Sequence, residues 1–349
     1  MPEGRVIRWD PLASDPLDLG RIVVSIGVFD GVHAGHRYLL DGAARAARDL
    51  DATLVTLTFE RDPDELFSRG DGLCRKLLSN EERIVLLADV TSSVVVVLSA
   101  TDGLFALAPG AFLGSFAKLG DVRDVHVGVD FRFGARASGT VSDIVSACES
   151  HGAACHPTEL LEMAGGAVTA TRIRGLVACG KVADAAELLG GRRHAVRGTV
   201  VHGRGAGEGL GFATANLVPA EGGAMLPAEG VYGGYARVLG TVVDGAAAGD
   251  AGSGVLCDAG ALGALDAPGA GGARVWPAAI NVGAARSFEG ATSPVEAHLV
   301  DFDGGRDCLY GRVLEVSFAE WLRGPRVFGS REELIDTVTA NIDWVRRNL

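Results

Sequence analysis

GVFDGVHAGH (residues 27–36) places two histidines, His33 and His36, three positions apart with Gly35 between them. It follows Ile22, Val23, Val24 and Ile26, an apolar run of β-formers that reads as a buried strand. Behind it, HRYLLDGAARAARDL (36–50) carries Leu39, Leu40, Ala43, Ala47 and Leu50 at helical spacing. A strand, a glycine-containing turn and a helix start bring backbone N–H groups and the positive end of a helix to one point. Two imidazoles added there can donate to phosphate oxygens as charge builds on them. Read alone, the pair is also compatible with local capping or with a metal. Zinc requires a third protein ligand, and no Cys or Asp pair stands at ligand spacing nearby.

Outward from this stretch the pattern repeats. TLVTLTF (53–59) is the next strand, and NEERIVLLA (80–88) a helix with Asn80 as N-cap. SVVVVLSA is a strand, 109–119 is helical, and DVHVGVDF is a further strand. Alternating strands and helices predict a parallel sheet with crossovers, whose ligands bind at the carboxyl ends of the strands. Residues 171–190 read as two short helices, TRIRGLVAC and KVADAAELL, punctuated by Gly180 and Gly190. The pattern then changes to β-rich segments separated by turn residues, AVRGTVVHG, GVYGGYARVLG, RVWPAAINVG, PVEAHLVDFDG and LYGRVLEVSFAEWL. Such a series predicts an antiparallel barrel or sandwich. The chain closes on an amphipathic helix over 330–348, with Ser330 and Glu333 as a capping box and Leu334, Ile335, Val338, Ile342 and Val345 on its apolar face. The boundary between the two patterns falls at 190/191, and residues 244–273, almost wholly Gly, Ala, Asp and Ser, read as a long flexible insertion.

Composition excludes several classes. With 44 acidic against 32 basic residues and a formal charge of −12, the chain is no general nucleic-acid binder. No apolar run approaches the ~20 residues a membrane span needs. The first residues, MPEGRVIRWDPLASDP, lack the apolar core of a signal peptide, and the six cysteines show no disulfide-framework spacing, so a cytoplasmic protein is expected. CESHGAACH (148–156) groups Cys148, His151, Cys155 and His156, but the spacing matches no familiar zinc motif. It reads as a helix end with incidental thiols, and no zinc is expected. Glycine is frequent, 50 of 349 residues, so glycine motifs count for less here.

IGVFDGVHAGHRYLL resembles the opening of the prokaryotic bifunctional riboflavin kinase/FMN adenylyltransferase family, and HxGH after a first strand is the signature of a nucleotidyltransferase superfamily. The resemblance runs along nearly the whole chain. LTFERDPDELF (57–67), VHVGVDFRFGARASGT (125–140) and VTATRIRGLVACGKVADAAELLG (168–190) are similar to the later motifs of the adenylyltransferase half. VRGTVVHGRGAGEGLGFATANL, LPAEGVYGGYARV, PAAINVG and VEAHLVDFDGGRDCLYGRVLEV resemble the kinase half, in order.

The resemblance implies an α/β protein: a Rossmann-like nucleotidyltransferase domain over 1–190 and a riboflavin kinase-like antiparallel β-barrel with a terminal helix over 191–349. It implies ATP, riboflavin and FMN as small-molecule partners, FAD as product and Mg²⁺ travelling with ATP, and neither nucleic acid nor membrane. An oligomeric state does not follow. His33 and His36 would steady the triphosphate within the loop that contains Gly27, Phe29, Asp30 and Gly31. Thr171 and Arg174 would contact the departing phosphates, and Asp130, Phe131 and Phe133 would line the flavin side. In the kinase half, the loop with Gly203, Gly205 and Gly211 would turn N–H groups toward phosphate. Thr214 and Asn216 would hold Mg²⁺; on an extended strand, residues i and i+2 face one way, and hydroxyl and amide oxygens suit a hard cation. Glu296 shares a strand face with His298, opposite Val295, Ala297 and Leu299, and would serve as the base.

The sequence departs from the family at Val28 (usually Asn), Asp62 (often His), Thr169-Ala170 (Ser-Ser), Ala213 (Pro) and in the length of the insertion. These changes weigh on the adenylyltransferase signature. The alternatives are therefore a paralogue in which only the kinase works, on riboflavin or an analogue, and a non-catalytic flavin binder.

Overall fold

The computed structural model describes residues 5–67, 75–91, 93–202, 212, 214–241, 274–283, 293–304 and 308–349. They form two compact units, one from residues up to 74 and 80–170, the other from 75–79 and 171–349.

The first unit holds a six-stranded sheet: β1 (Arg5–Trp9), β2 (Arg21–Ile26), β3 (Thr53–Phe59), β4 (Val94–Leu98), β5 (Asp121–Gly128) and β6 (Ala154–Thr158). The strand order is β1-β4-β3-β2-β5-β6, and every pair is parallel. The inner strands are buried on both faces, which is why they read as continuous apolar runs: Ile22, Val23, Val24 and Val95 to Val97 are fully buried. The helices are α1 (Ala34–Asp49), α2 (Pro63–Phe67), α3 (Asn80–Thr91), α4 (Asp102–Phe105), α5 (Pro109–Gly114) and α6 (Val141–His151). A small hairpin, β7 (Glu162–Met163) with β8 (Gly166–Ala167), follows. The chain leaves β2 to one side for β3 and later returns to its other side as β5. The carboxyl ends of β2 and β5 therefore form the switch point at which ligands enter such sheets. Residues 27–33 leave from one of these ends and residues 129–139 from the other.

The second unit contains α7 (Ala170–Ala178, from Thr171 onward), α8 (Val182–Leu188) and a closed barrel. Its strands are β9 (Ala195–Val201), β10 (Ala215–Pro219), β11 (Gly230–Thr241), β12 (Val275–Val282), β13 (Val295–Leu299) and β14 (Arg312–Arg323), in the order β10-β13-β12-β11-β14-β9. Every described pairing is antiparallel. Alternate residues fill the barrel, among them Ala215, Leu217, Val295, Ala297, Ile280 and Val282. A side chain at Gly234 would fall on the Ser317 carbonyl, which is why this corner of β11 is glycine. Glu315 of β14 lies between Arg197 of β9 and Arg237 of β11, at 2.7 and 2.9 Å, with all three almost fully buried. Residues 75–79 join this unit: Met225 N–H donates to the Lys76 carbonyl at 2.7 Å.

The terminal helix α9 (Arg331–Asn348) is capped by Ser330, which accepts from Glu333 N–H at 3.1 Å. The reciprocal half of the expected capping box is absent. Glu333 accepts instead from Gly329 N–H at 2.8 Å and pairs with Arg326. Ile342 and Val345 are buried in a cluster that includes Phe212, Ala279 and Val338, while Leu334 and Ile335 are half-buried. The expected insertion at 244–273 lies outside the described residues.

Candidate active site

The loop after β2 is held in an unusual backbone. Phe29, Gly31 and Val32 have φ of 60°, 76° and 41°. Glycine takes such angles freely, whereas a β-branched valine does so only under constraint. Gly27 N–H donates to Leu57 O at 3.1 Å, and the Phe29 ring lies so close that a Cβ on Gly27 would come within 3.1 Å of it. Asp30, Gly31 and Val32 are buried. His33 is the N-cap of α1: its Nδ1 accepts from His36 N–H at 3.3 Å. In the neutral ring that bond leaves the His33 proton on Nε2. The His33 and His36 rings stack at 3.5 Å and 16°, and Phe29 meets His36 edge-on. Gly35 permits this, because a Cβ there would be 3.2 Å from both the His33 ring and the Val168 carbonyl. Burial, then His33, then Arg83 hold the His36 pKa well below the ordinary imidazole value, so His36 is neutral at neutral pH.

Arg83 is the residue that sequence reading passed over. It is 2 % exposed on α3 and donates to Val28 O at 2.8 Å, Phe59 O at 2.7 Å, Asn80 Oδ1 at 3.2 Å and Thr58 Oγ1. Burial lowers its pKa, opposed by the charges of Asp62, Asp30 and Glu65. Two of the family departures lie beside Arg83. Val28 packs its side chain against the core and contributes only its carbonyl to Arg83. Asp62 is one of the charges that compensate Arg83. Arg83→Met should cost about 3–5 kcal/mol of stability in urea unfolding, because it strands buried carboxylates without a cation.

At the end of β5, Phe131 N–H donates to Gly128 O at 3.0 Å, and the Phe131 and Phe133 rings stack at 5.9 Å. Phe133 is buried, Phe131 half-buried and Asp130 exposed. These residues leave the strand next to the one that carries the histidine loop, at the same edge of the sheet. Thr171 and Arg174 belong to the second unit, one turn apart on α7, where Arg174 donates to Thr171 Oγ1 at 3.1 Å.

In the barrel, Asn216, Glu296 and Asn281 are direct partners across β10, β13 and β12. All three are half-buried on the face opposite the barrel core, and half-buried Thr214 precedes β10 by one residue. Burial raises the Glu296 pKa above the ordinary carboxylate value. Asn281 was not singled out in the sequence; only strand register brings it beside Glu296. Gly203, Gly205 and Gly211 lie outside the described residues.

A parallel sheet with a phosphate-type loop at its switch point, joined in one chain to a barrel carrying a half-buried carboxylate, defines a two-part phosphate-transfer architecture. The FAD synthetase family model matches residues 16–172 and the riboflavin kinase model residues 190–349. The bifunctional riboflavin kinase/FMN adenylyltransferase of Escherichia coli strain K12 is 30% identical over 313 residues, covering 89% of this chain and 88% of that protein. Its namesake from Pseudomonas fluorescens is 27% identical, covering 93% and 92%. A solved structure described as a macrolide-efflux protein from Streptococcus pneumoniae superposes with a TM-score of 0.77 at 25% identity and covers 99% of each chain. No helix among the described residues is long and apolar enough to cross a membrane. The chain belongs to the bifunctional riboflavin kinase/FMN adenylyltransferase family.

Proposed function

We propose that this chain converts riboflavin to FMN in its C-terminal half and FMN to FAD in its N-terminal half, using ATP in both steps. What supports the reading is that each half holds one pre-arranged set: the stacked histidines at the switch point, and Glu296 between Asn216 and Asn281. The functional division is placed at 190/191, between residues 1–190 and 191–349.

In the kinase step the riboflavin 5′-hydroxyl attacks the γ-phosphate of ATP, and Glu296 accepts its proton. A raised pKa makes Glu296 a stronger base than an exposed carboxylate. Asn216 and Asn281 position it from the two neighbouring strands. Thr214 and Asn216 offer the hydroxyl and amide oxygens that fit a Mg²⁺ ion brought by ATP, which supplies charge neutralisation for the phosphates. The glycine stretch 203–211 is assigned to the phosphates of ATP.

In the second step the FMN phosphate attacks the α-phosphate of ATP and pyrophosphate leaves. No protein nucleophile is required, so the protein's task is positioning and charge stabilisation. His33 and neutral His36 donate to the triphosphate, with the positive N-terminal end of α1 behind them. Thr171 and Arg174 hold the leaving phosphates, for which a permanently charged planar fork is suited. Asp130, Phe131 and Phe133 take the flavin side.

A pH profile tests the base. Glu296 acts only when ionised, and its pKa is raised. FMN formation should therefore fall as pH drops, with the half-point above the ordinary glutamate range. An acid limb at or below that range would remove the assignment.

A further inference from the structure

We propose that Asp124, His126 and His156 form a binding site for a borderline divalent metal ion of the zinc class, separate from the substrate sites. Asp124 and His126 stand two apart on β5 and share a face; His156 of β6 is the direct register partner of His126. Asp124 Oδ2 lies 3.1 Å from His156 Nε2 and 3.5 Å from His126 Nε2, and one ligand atom from each of the three residues lies within 4.8 Å of the others. Four-coordinate zinc with bonds of ~2.0–2.1 Å sets its ligand atoms about 3.3 Å apart, so the donors already stand near the required spacing.

The second observation is unmet polarity. Asp124 and His126 are 4 % and 7 % exposed, yet Asp124 Oδ1 and His126 Nε2 have no hydrogen-bond partner. Ser25 Oγ, on the β2 residue in register with His126, is also buried without one. Stranded polar atoms in a sheet face cost free energy unless something satisfies them, and an ion held by a carboxylate and two imidazoles does so. The Nδ1 edge of His126 faces α1, where a Cβ on Gly42 would lie 3.6 Å away, so Nε2 is the atom presented to the ion. His156 is 57 % exposed, which opens the site to ion entry and to a water as fourth ligand. Two nitrogen donors disfavour Mg²⁺, which distinguishes this site from the ATP-borne ion.

The cysteines of the same sequence run do not take part. Cys155 alternates with His156 onto the other face of β6, where its thiol engages Cys148, and His151 bonds Ala147 O at 2.8 Å on the end of α6.

The full-length protein, stripped with EDTA and exchanged into chelator-free buffer, would be titrated with Co²⁺ by visible absorption and with Zn²⁺ by calorimetry. One equivalent should bind, and His156→Ala should weaken that binding at least about tenfold while leaving riboflavin phosphorylation unchanged. His156 is exposed, so its replacement leaves the core intact. Asp124→Asn should weaken it likewise. No binding in the unsubstituted protein, or binding that His156→Ala leaves undiminished, overturns the site and leaves the cluster as an imidazole–carboxylate pair.

Discussion

Glu296→Gln is expected to lower FMN formation by about 10²–10⁴-fold while leaving flavin binding and the conversion of supplied FMN to FAD near their original levels. The amide keeps the size and shape of the carboxylate, so the register with Asn216 and Asn281 across the strands survives. What it loses is the capacity to accept a proton. Half-burial on the outer face of β13 is what raises the basicity of Glu296, and no other described carboxylate is in register beside Asn216. Flavin chromatography with riboflavin and then with FMN as the starting material separates the two halves. Normal phosphorylation by this variant would mean that the base lies elsewhere.

His36→Ala is expected to give the mirror image: FAD formation from FMN reduced by about 10²–10³-fold, with riboflavin phosphorylation retained. His36 is the sharper choice of the two histidines. His33 also caps α1, so its removal would add about 1 kcal/mol of lost helix capping to any catalytic effect. The side chain of His36 carries no such duty, and its Nδ1 has no hydrogen-bond partner. Because its pKa is depressed, the effect should persist unchanged across neutral pH. Full FAD synthesis in this variant would break the link between the histidine pair and phosphate.

The order of the first unit was legible because its inner strands are buried on both faces and therefore apolar throughout. β1 was not legible. RVIRW carries two arginines in five residues, buries only Trp9, and pairs with β4 at the sheet margin. β6 was equally obscure: ACHPT contains Pro157, which an edge strand tolerates because one side of its backbone lacks a partner. Missing β6 had a cost, since the run 148–156 then read as one helix end. Strand alternation instead sends Cys155 and His156 to opposite faces and brings His156 to Asp124.

Among the candidate site residues, neighbours joined by short spacing are legible in the sequence and neighbours joined by topology are not. The histidine pair, Thr214 with Asn216, and Thr171 with Arg174 all lie within one local element or turn. Arg83 is far from Val28 along the chain and sits in NEERIVLLA, where a charged residue ordinarily faces solvent. Its burial follows from α3 packing against the histidine loop. Asn281 likewise meets Glu296 only through the register of β12 with β13.

One chain is expected to carry both activities despite its departures at Val28 and Asp62. The most direct measurement incubates the purified protein with riboflavin, ATP and Mg²⁺ and separates the flavins over time. FMN should rise first and FAD should then accumulate at its expense. FMN that persists without FAD, even when FMN itself is supplied, would contradict the account and leave GVFDGVHAGH as a strained loop without adenylyltransferase chemistry.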